Sequence, residues 1–169
     1  MLRVRWERPE DMPAIRQVNT LAFGRSDEAH LVDALRAVGK AALSLVAVED
    51  DRIVGHILFS PVAIEMGDRM LPALGLAPMA VVPERQRHGI GSQLIEAGLA
   101  ACRNAGYNCV VVLGHPTYYP RFGFVPASRY GLKSVYEVPD EAFMVLAWGE
   151  GTLKGQGGVV RYQPEFRNV

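Results

Sequence analysis

The residues best placed to do chemistry in this chain are Val81-Val82-Pro83-Glu84-Arg85-Gln86-Arg87-His88-Gly89-Ile90-Gly91-Ser92. An apolar run stops at a proline, a short basic loop follows, and Gly-x-Gly opens an amphipathic segment. A strand–loop–helix junction of this kind suits an anion. The first turn of a helix has N–H groups without intrahelical partners and the positive end of the helix dipole. Glycines allow a phosphate close to that backbone. Arg85, Arg87 and His88 add positive charge nearby, so the segment reads as a pyrophosphate cradle.

Spacing discriminates between cradles. A P-loop needs a lysine before its serine or threonine, and Gly91-Ser92 lacks it. The dinucleotide fingerprint needs glycine or alanine where Leu94 stands. A third pattern, Gln/Arg-x-x-Gly-x-Gly/Ala, is met at every specified place by Gln86-Arg87-His88-Gly89-Ile90-Gly91. With its strand before and helix after, residues 74–114 resemble the coenzyme A-binding core of the GCN5-related N-acetyltransferase (GNAT) superfamily. The resemblance implies that Gln86, Arg87, His88, Gly89, Ile90, Gly91 and Ser92 hold a pyrophosphate. It implies that Met79, Ala80 and Val81 hold the pantetheine arm through the backbone of a strand splayed from its parallel neighbour. Pro78 removes a ladder donor, which places it at such a parting or on an edge.

The second constellation is Gly114-His115-Pro116-Thr117-Tyr118-Tyr119-Pro120-Arg121-Phe122-Gly123-Phe124. It follows a near-continuous apolar run, and the C-terminal ends of parallel strands face the ligand crevice of α/β proteins. GNAT members often carry a tyrosine four residues before a Gly-Phe pair, and Tyr119 stands there. The Tyr-Tyr-x-Arg-Phe-Gly-Phe form also resembles the YhbS-like subgroup of bacterial N-acetyltransferases. The resemblance implies that Tyr119 protonates the thiolate expelled when an amine attacks acetyl-coenzyme A. The attacking amine must be neutral, so a base or water chain is needed. His115, Glu84 and Glu28 are candidates, and none is assigned.

Composition narrows the field. At 169 residues the expectation is a single domain over 1–169. Lysine plus arginine equals aspartate plus glutamate at 18 each, which argues against a broad footprint for nucleic acid or an anionic membrane. Cys102 and Cys109 read as buried apolar residues rather than a disulfide or metal pair. No metal is expected. A reducing cytoplasm fits, and neither a signal peptide nor a run of membrane-spanning length is recognised.

The elements that must position these residues follow from periodicity. Residues 2–6 alternate as a strand. Met12, Ile15, Val18 and Leu21 recur at helical spacing behind Glu10-Asp11. Ser26-Asp27 resemble a cap for a second helix ending at Gly39. Strands are expected over 43–48, 52–64 and 71–82, with turns at Asp50-Asp51 and Gly67-Asp68. A helix over 90–103 shows Ile90, Leu94, Ala97 and Ala101 on one face, with Gly106 as its C-cap. Residues 109–113 read as a buried parallel strand. Residues 124–125, 143–148 and 159–162 close the sheet, and 154–158 form a flexible connection. This order is α/β with a mixed sheet. It is the order of the GNAT fold, with a splayed parallel pair and helices on both faces.

The expected activity is acetyl-CoA-dependent N-acetyl transfer to a small-molecule or peptide amine in a ternary complex, with acetyl-CoA as co-substrate. Homodimers are common among such relatives. Alternatives are a non-catalytic acyl-CoA-binding sensor or interaction module, and a nucleotide-binding domain for another cofactor. Residues 23–30 and 128–140, where the resemblance puts the acceptor pocket, spell no recognisable specificity.

Overall fold

The computed structural model describes residues 1–149, 153 and 157–169. The chain divides into two compact units: residues 1–60, 77–101 and 164–169, and residues 61–76 and 102–163.

In the first unit, β1 (Leu2–Trp6), β2 (Leu43–Glu49) and the start of β3 (Arg52–Met66) form an antiparallel meander. Asp50 and Asp51 both turn at positive φ, 51° and 62°, the backbone of a tight hairpin that aspartate tolerates. Helices α1 (Met12–Phe23) and α2 (Asp27–Ala37) cover one face. There Ile15, Leu31 and Leu35 pack with Val46, Val48 and Leu58. Alternate strand residues point the other way, and α3 (Ile90–Asn104) covers that face. A Cβ on Gly55 would meet Leu94, and one on Gly98 would overlap the Phe59 ring at 2.5 Å. Glycine at 98 therefore lets α3 lie directly on Phe59. Ile57, Leu58 and Phe59 are fully buried, each stabilising the fold by about 1.5–3 kcal/mol.

Three local expectations change. Ser26 takes the N-cap place of α2, but its side chain makes no cap hydrogen bond. A 3-10 turn, Pro9–Asp11, precedes α1, where the Asp11 carboxylate accepts from the Arg8 N–H at 2.7 Å. The buried stripe of α3 runs through Ile90, Leu94, Ile95, Leu99 and Cys102, while Ala97 and Ala101 are half-buried. Large side chains pull the stripe toward themselves because they bury more apolar area. Gly106 caps α3 at φ 92°, as expected.

In the second unit, the first part of β4 (Arg69–Val81) pairs in parallel with β5 (Cys109–Leu113) at Leu74↔Val110 and Gly75↔Val111. β8 (Phe143–Ala147) pairs antiparallel along all of β5, and β6 (Val125–Pro126) pairs with β8. β9 (Gly158–Arg161) lies antiparallel on the distal part of β3, and β7 (Leu132–Ser134) lies parallel on β9. Strand β7 was not expected. The core includes Val62, Ile64, Val111, Val145 and Val160. The expected connection over 154–158 falls in part outside the described residues. The architecture is mixed α/β, with parallel and antiparallel strand pairs and helices on both faces of the first unit's strands.

Candidate functional site

The loop after β4 belongs to the first unit. Val82 N–H donates to Val54 O at 2.9 Å, fastening the end of β4 beside β3. Pro83–Arg85 then make one 3-10 turn. Gln86 returns to extended backbone, and its Nε2 donates to Val81 O at 2.9 Å. Arg87 sits at φ 65° and Gly89 at φ 81°. A Cβ at Gly89 would meet nothing within 4 Å, so glycine is needed there for its conformation and not for space. His88 Nδ1 lies 2.8 Å from Gln86 O, which makes it the protonated ring nitrogen. Ile90 is buried and anchors the start of α3. Gln93 N–H bonds back to Gly89 O at 3.1 Å.

The charge at this loop differs from expectation. Arg85 is held by Glu49 at 2.8 Å, so its charge is balanced within the fold. Arg52 holds Glu84 at 2.8 Å. The Glu84 carboxyl lies below its usual range because a backbone N–H and then Arg52 stabilise the anion. Among the described residues no acid pairs with Arg87, which is exposed. Arg87 is therefore the arginine of this loop that has no acid partner among the described residues, whereas Arg85 is paired with Glu49. Met79 is half-buried, Ala80 and Val81 are buried, and all three lie on the last stretch of β4.

Tyr119 belongs to the second unit. Gly114 N–H donates to Ala142 O at 2.9 Å, extending the β5–β8 ladder by one bond. The chain then turns: Tyr118 N–H donates to His115 O at 3.1 Å, and Tyr119–Phe122 form a 3-10 turn. Gly123 ends it at φ 101°, which explains the glycine of the Gly-Phe pair. The Tyr119 ring meets Tyr118 and Phe124 edge to face, with centroids 5.2 and 5.7 Å apart. Such pairs hold ring orientation as well as burying area. Burial, and next the neighbouring Tyr118, push the phenol up to about 12. Among the described residues no group bonds to its hydroxyl, an unusual state for a tyrosine only 8% exposed. Arg121 lies over the Tyr118 ring at 5.3 Å.

The candidates for a base fare differently. His115 is exposed, and its carbonyl serves the turn. Glu84 is engaged by Arg52. Glu28 is buried, with both carboxylate oxygens taken by Arg25 at 3.0 and 2.5 Å. Cys102 and Cys109 are buried and unpaired, and desolvation pushes their thiols up to about 12 and about 11. Neither is a nucleophile at neutral pH. Among the described residues no cluster of His, Cys, Asp and Glu is placed to hold a metal ion, and no helix is long and apolar enough to cross a membrane.

One polar chain carries no motif in the sequence. Arg36 binds Glu7, and Ser44 Oγ donates to Glu7 at 2.7 Å. Ser44 must then accept from His56 Nε2–H at 2.9 Å. That leaves His56 Nδ1 to accept from Asn19 Nδ2 at 3.2 Å, whose other hydrogen goes to Ile15 O at 3.0 Å. The partners thus assign the tautomer. His56 is fully buried, and burial, with Arg36 second, lowers its pKa to about 3. The chain ties α1, α2 and the segment after β1 to strands β2 and β3. The available signal was a lone histidine in the apolar run Ile53-Val54-Gly55-His56-Ile57-Leu58-Phe59.

Comparison with known proteins points to one family. Residues 3–127 match the family model for an Acetyltransferase (GNAT) domain. The uncharacterized N-acetyltransferase YhbS of Escherichia coli (strain K12) is 36% identical over 164 residues, 96% of this chain and 97% of that protein. The crystal structure of E. coli YhbS in complex with CoA superposes with a TM-score of 0.91 at 35% identity, covering 98% of this chain and 91% of that one. A GNAT family acetyltransferase from Brucella melitensis, solved in complex with acetyl-CoA, gives a TM-score of 0.81 at 40% identity, with 98% of each chain covered.

Proposed function

The chain belongs to the GNAT acetyltransferase family, and from that premise we propose that it transfers an acetyl group from acetyl-CoA to a primary amine by direct attack in a ternary complex. The observation that carries this proposal is the loop after β4. Its αL glycine, exposed Arg87 and helix opening at Ile90 suit a pyrophosphate. Two relatives at 35% and 40% identity were solved with CoA or acetyl-CoA bound.

In this mechanism the backbone of Gln86, Arg87, His88, Gly89, Ile90, Gly91 and Ser92 holds the pyrophosphate. Met79, Ala80 and Val81 offer main-chain groups to the pantetheine arm. The neutral acceptor amine attacks the thioester carbonyl, and the C–S bond breaks. Tyr119 gives its proton to the departing sulfur, and the proton that the attacking nitrogen sheds on becoming an amide returns to the phenolate through solvent. The phenol is protonated at neutral pH, and among the described residues no group bonds to its hydroxyl. Holding both substrates together supplies much of the remaining acceleration. Direct transfer is favoured because both cysteines are buried with raised pKa values. We read residues 1–169 as one acyltransferase domain acting in the cytoplasm, which accords with the two unpaired cysteines.

The test is thermal shift with acetyl-CoA, CoA, NAD and ATP side by side, followed by thiol release across a panel of primary amines. A ligand that binds only the folded state raises the melting midpoint. A rise confined to the CoA pair, then thiol release with an amine, is the expected result. A well-folded sample that rises with NAD or ATP and not with the CoA pair would overturn the assignment. CoA binding without thiol release for any amine would favour a sensor.

A further inference from the structure

We propose that Gly114 is a positioning residue for Tyr119: the missing side chain at 114 is the slot that holds the phenol ring in its orientation. This rests on the role given to Tyr119 above. A Cβ at Gly114 would overlap Tyr119 Cε2 and stand 2.9 Å from Cδ2 and 3.4 Å from Cζ. No real Cβ tolerates such contact, so either the backbone or the ring must move.

The backbone is held. Gly114 N–H bonds to Ala142 O at 2.9 Å, and Leu113 beside it is in register with Phe143. The ring is held from its other sides by Tyr118 and Phe124. It is the ring that would yield, because turning a side chain costs less than opening the end of a β ladder. Conformation does not require glycine here: φ at 114 lies outside the left-handed region, unlike Gly89. Space alone selects it. Nothing in the sequence pattern marks Gly114, since the clash arises from a residue five positions later folding back across it.

The test uses the full chain carrying Gly114→Ala, Tyr119→Phe and both together. The first readout is alkaline titration of the tyrosinates by ultraviolet difference spectroscopy. A displaced phenol titrates nearer the ordinary value of about 10 than the value of about 12 it has when buried. Gly114→Ala is expected to move one tyrosine down toward that ordinary value, a change absent in the double variant. The second readout is thiol release with the amine returned by the panel. Turnover in Gly114→Ala should fall at least tenfold, and the double variant should fall no further than Tyr119→Phe alone, with the Kd for CoA within twofold of wild type. An unchanged titration would overturn the proposal, as would additive losses. If Gly114→Ala does not fold, adding Tyr119→Ala removes the ring it meets and should restore folding; failure to restore it also counts against the slot. Unchanged turnover in Tyr119→Phe alone would sink the catalytic role and leave the titration to decide Gly114 by itself.

Discussion

In the proposed mechanism the loop after β4 and the segment after β5 assemble function in opposite ways. The first is exposed and would work through main-chain atoms: Gly89 is at φ 81°, with open space where a side chain would be. The second is buried and would work through one side chain: the Tyr119 ring is packed against Gly114, Tyr118 and Phe124. Both use glycine, for unlike reasons. Gly89 is there because of its backbone angle, and Gly114 because of its volume. A backbone site tolerates changes of side chain and fails when a dihedral changes. A packed side-chain site fails when its neighbours change shape.

The largest effect should come from the packed site. Tyr119→Phe keeps the ring and removes the proton. General acid catalysis contributes about 10²–10⁴-fold, so turnover should fall by at least about a hundredfold while CoA binding stays within twofold. Steady-state kinetics with isothermal titration separates the two. A loss of CoA affinity as large as the loss of turnover would erase the division of labour between the regions.

Next is the mirror experiment. Gly89→Ala puts a Cβ on a left-handed residue, which costs about 1–2 kcal/mol. The loop either bears that strain or abandons the conformation. CoA affinity should fall about tenfold, with turnover at saturating acetyl-CoA little changed. If turnover falls and affinity holds, the loop does more than bind.

A control lies in neither region. His56 has a folded pKa of about 3 against an ordinary 6.5. Between those values the unfolded chain takes up a proton that the folded chain refuses. Stability therefore falls as pH drops below about 6.5, by up to about 1.4 kcal/mol per pH unit. Above about pH 6.5 His56 adds no slope. Thermal melts from pH 7.5 to 4.5 should reveal this slope, and His56→Gln should flatten its share. The same variant should leave CoA affinity at pH 7.5 within about threefold. A large loss there would mean that the buried chain from Arg36 to Asn19 shapes the loop as well as supporting it.

The two regions were also unequally legible. The loop could be read because its physics is local: a proline that ends a strand, glycines two apart, and a helix behind them. Tyr119 is singled out by a family pattern, and the aromatic packing around it is not visible in the sequence. Arg85 looked like part of the cradle by adjacency alone, and its partner Glu49 lies 36 positions away. The His56 chain joins residues 12 and 37 positions apart. The pairing of β9 with β3 likewise joins distant segments. Local spacing cannot carry such contacts. Helices, strands and the loop follow from periodicity, whereas charge partners and buried polar chains follow from tertiary packing.

The smallest expected effect concerns Arg87, and it separates charge from backbone within the loop. Arg87 stands at φ 65° with no acidic partner among the described residues. Glycine adopts that angle without strain, so Arg87→Gly removes the cation and keeps the turn. Alanine removes the cation and retains the strain of a left-handed residue. If the cation assists an anion electrostatically, both variants should weaken CoA binding by about threefold at low salt. The difference should fade near 1 M salt, where the screening length is only about 3 Å. Titrations of both variants at two salt concentrations measure this. Equal affinity for wild type and Arg87→Gly at low salt would mean that the loop binds through its N–H groups alone. Arg87 would then be an exposed side chain on a turn that glycine would serve as well.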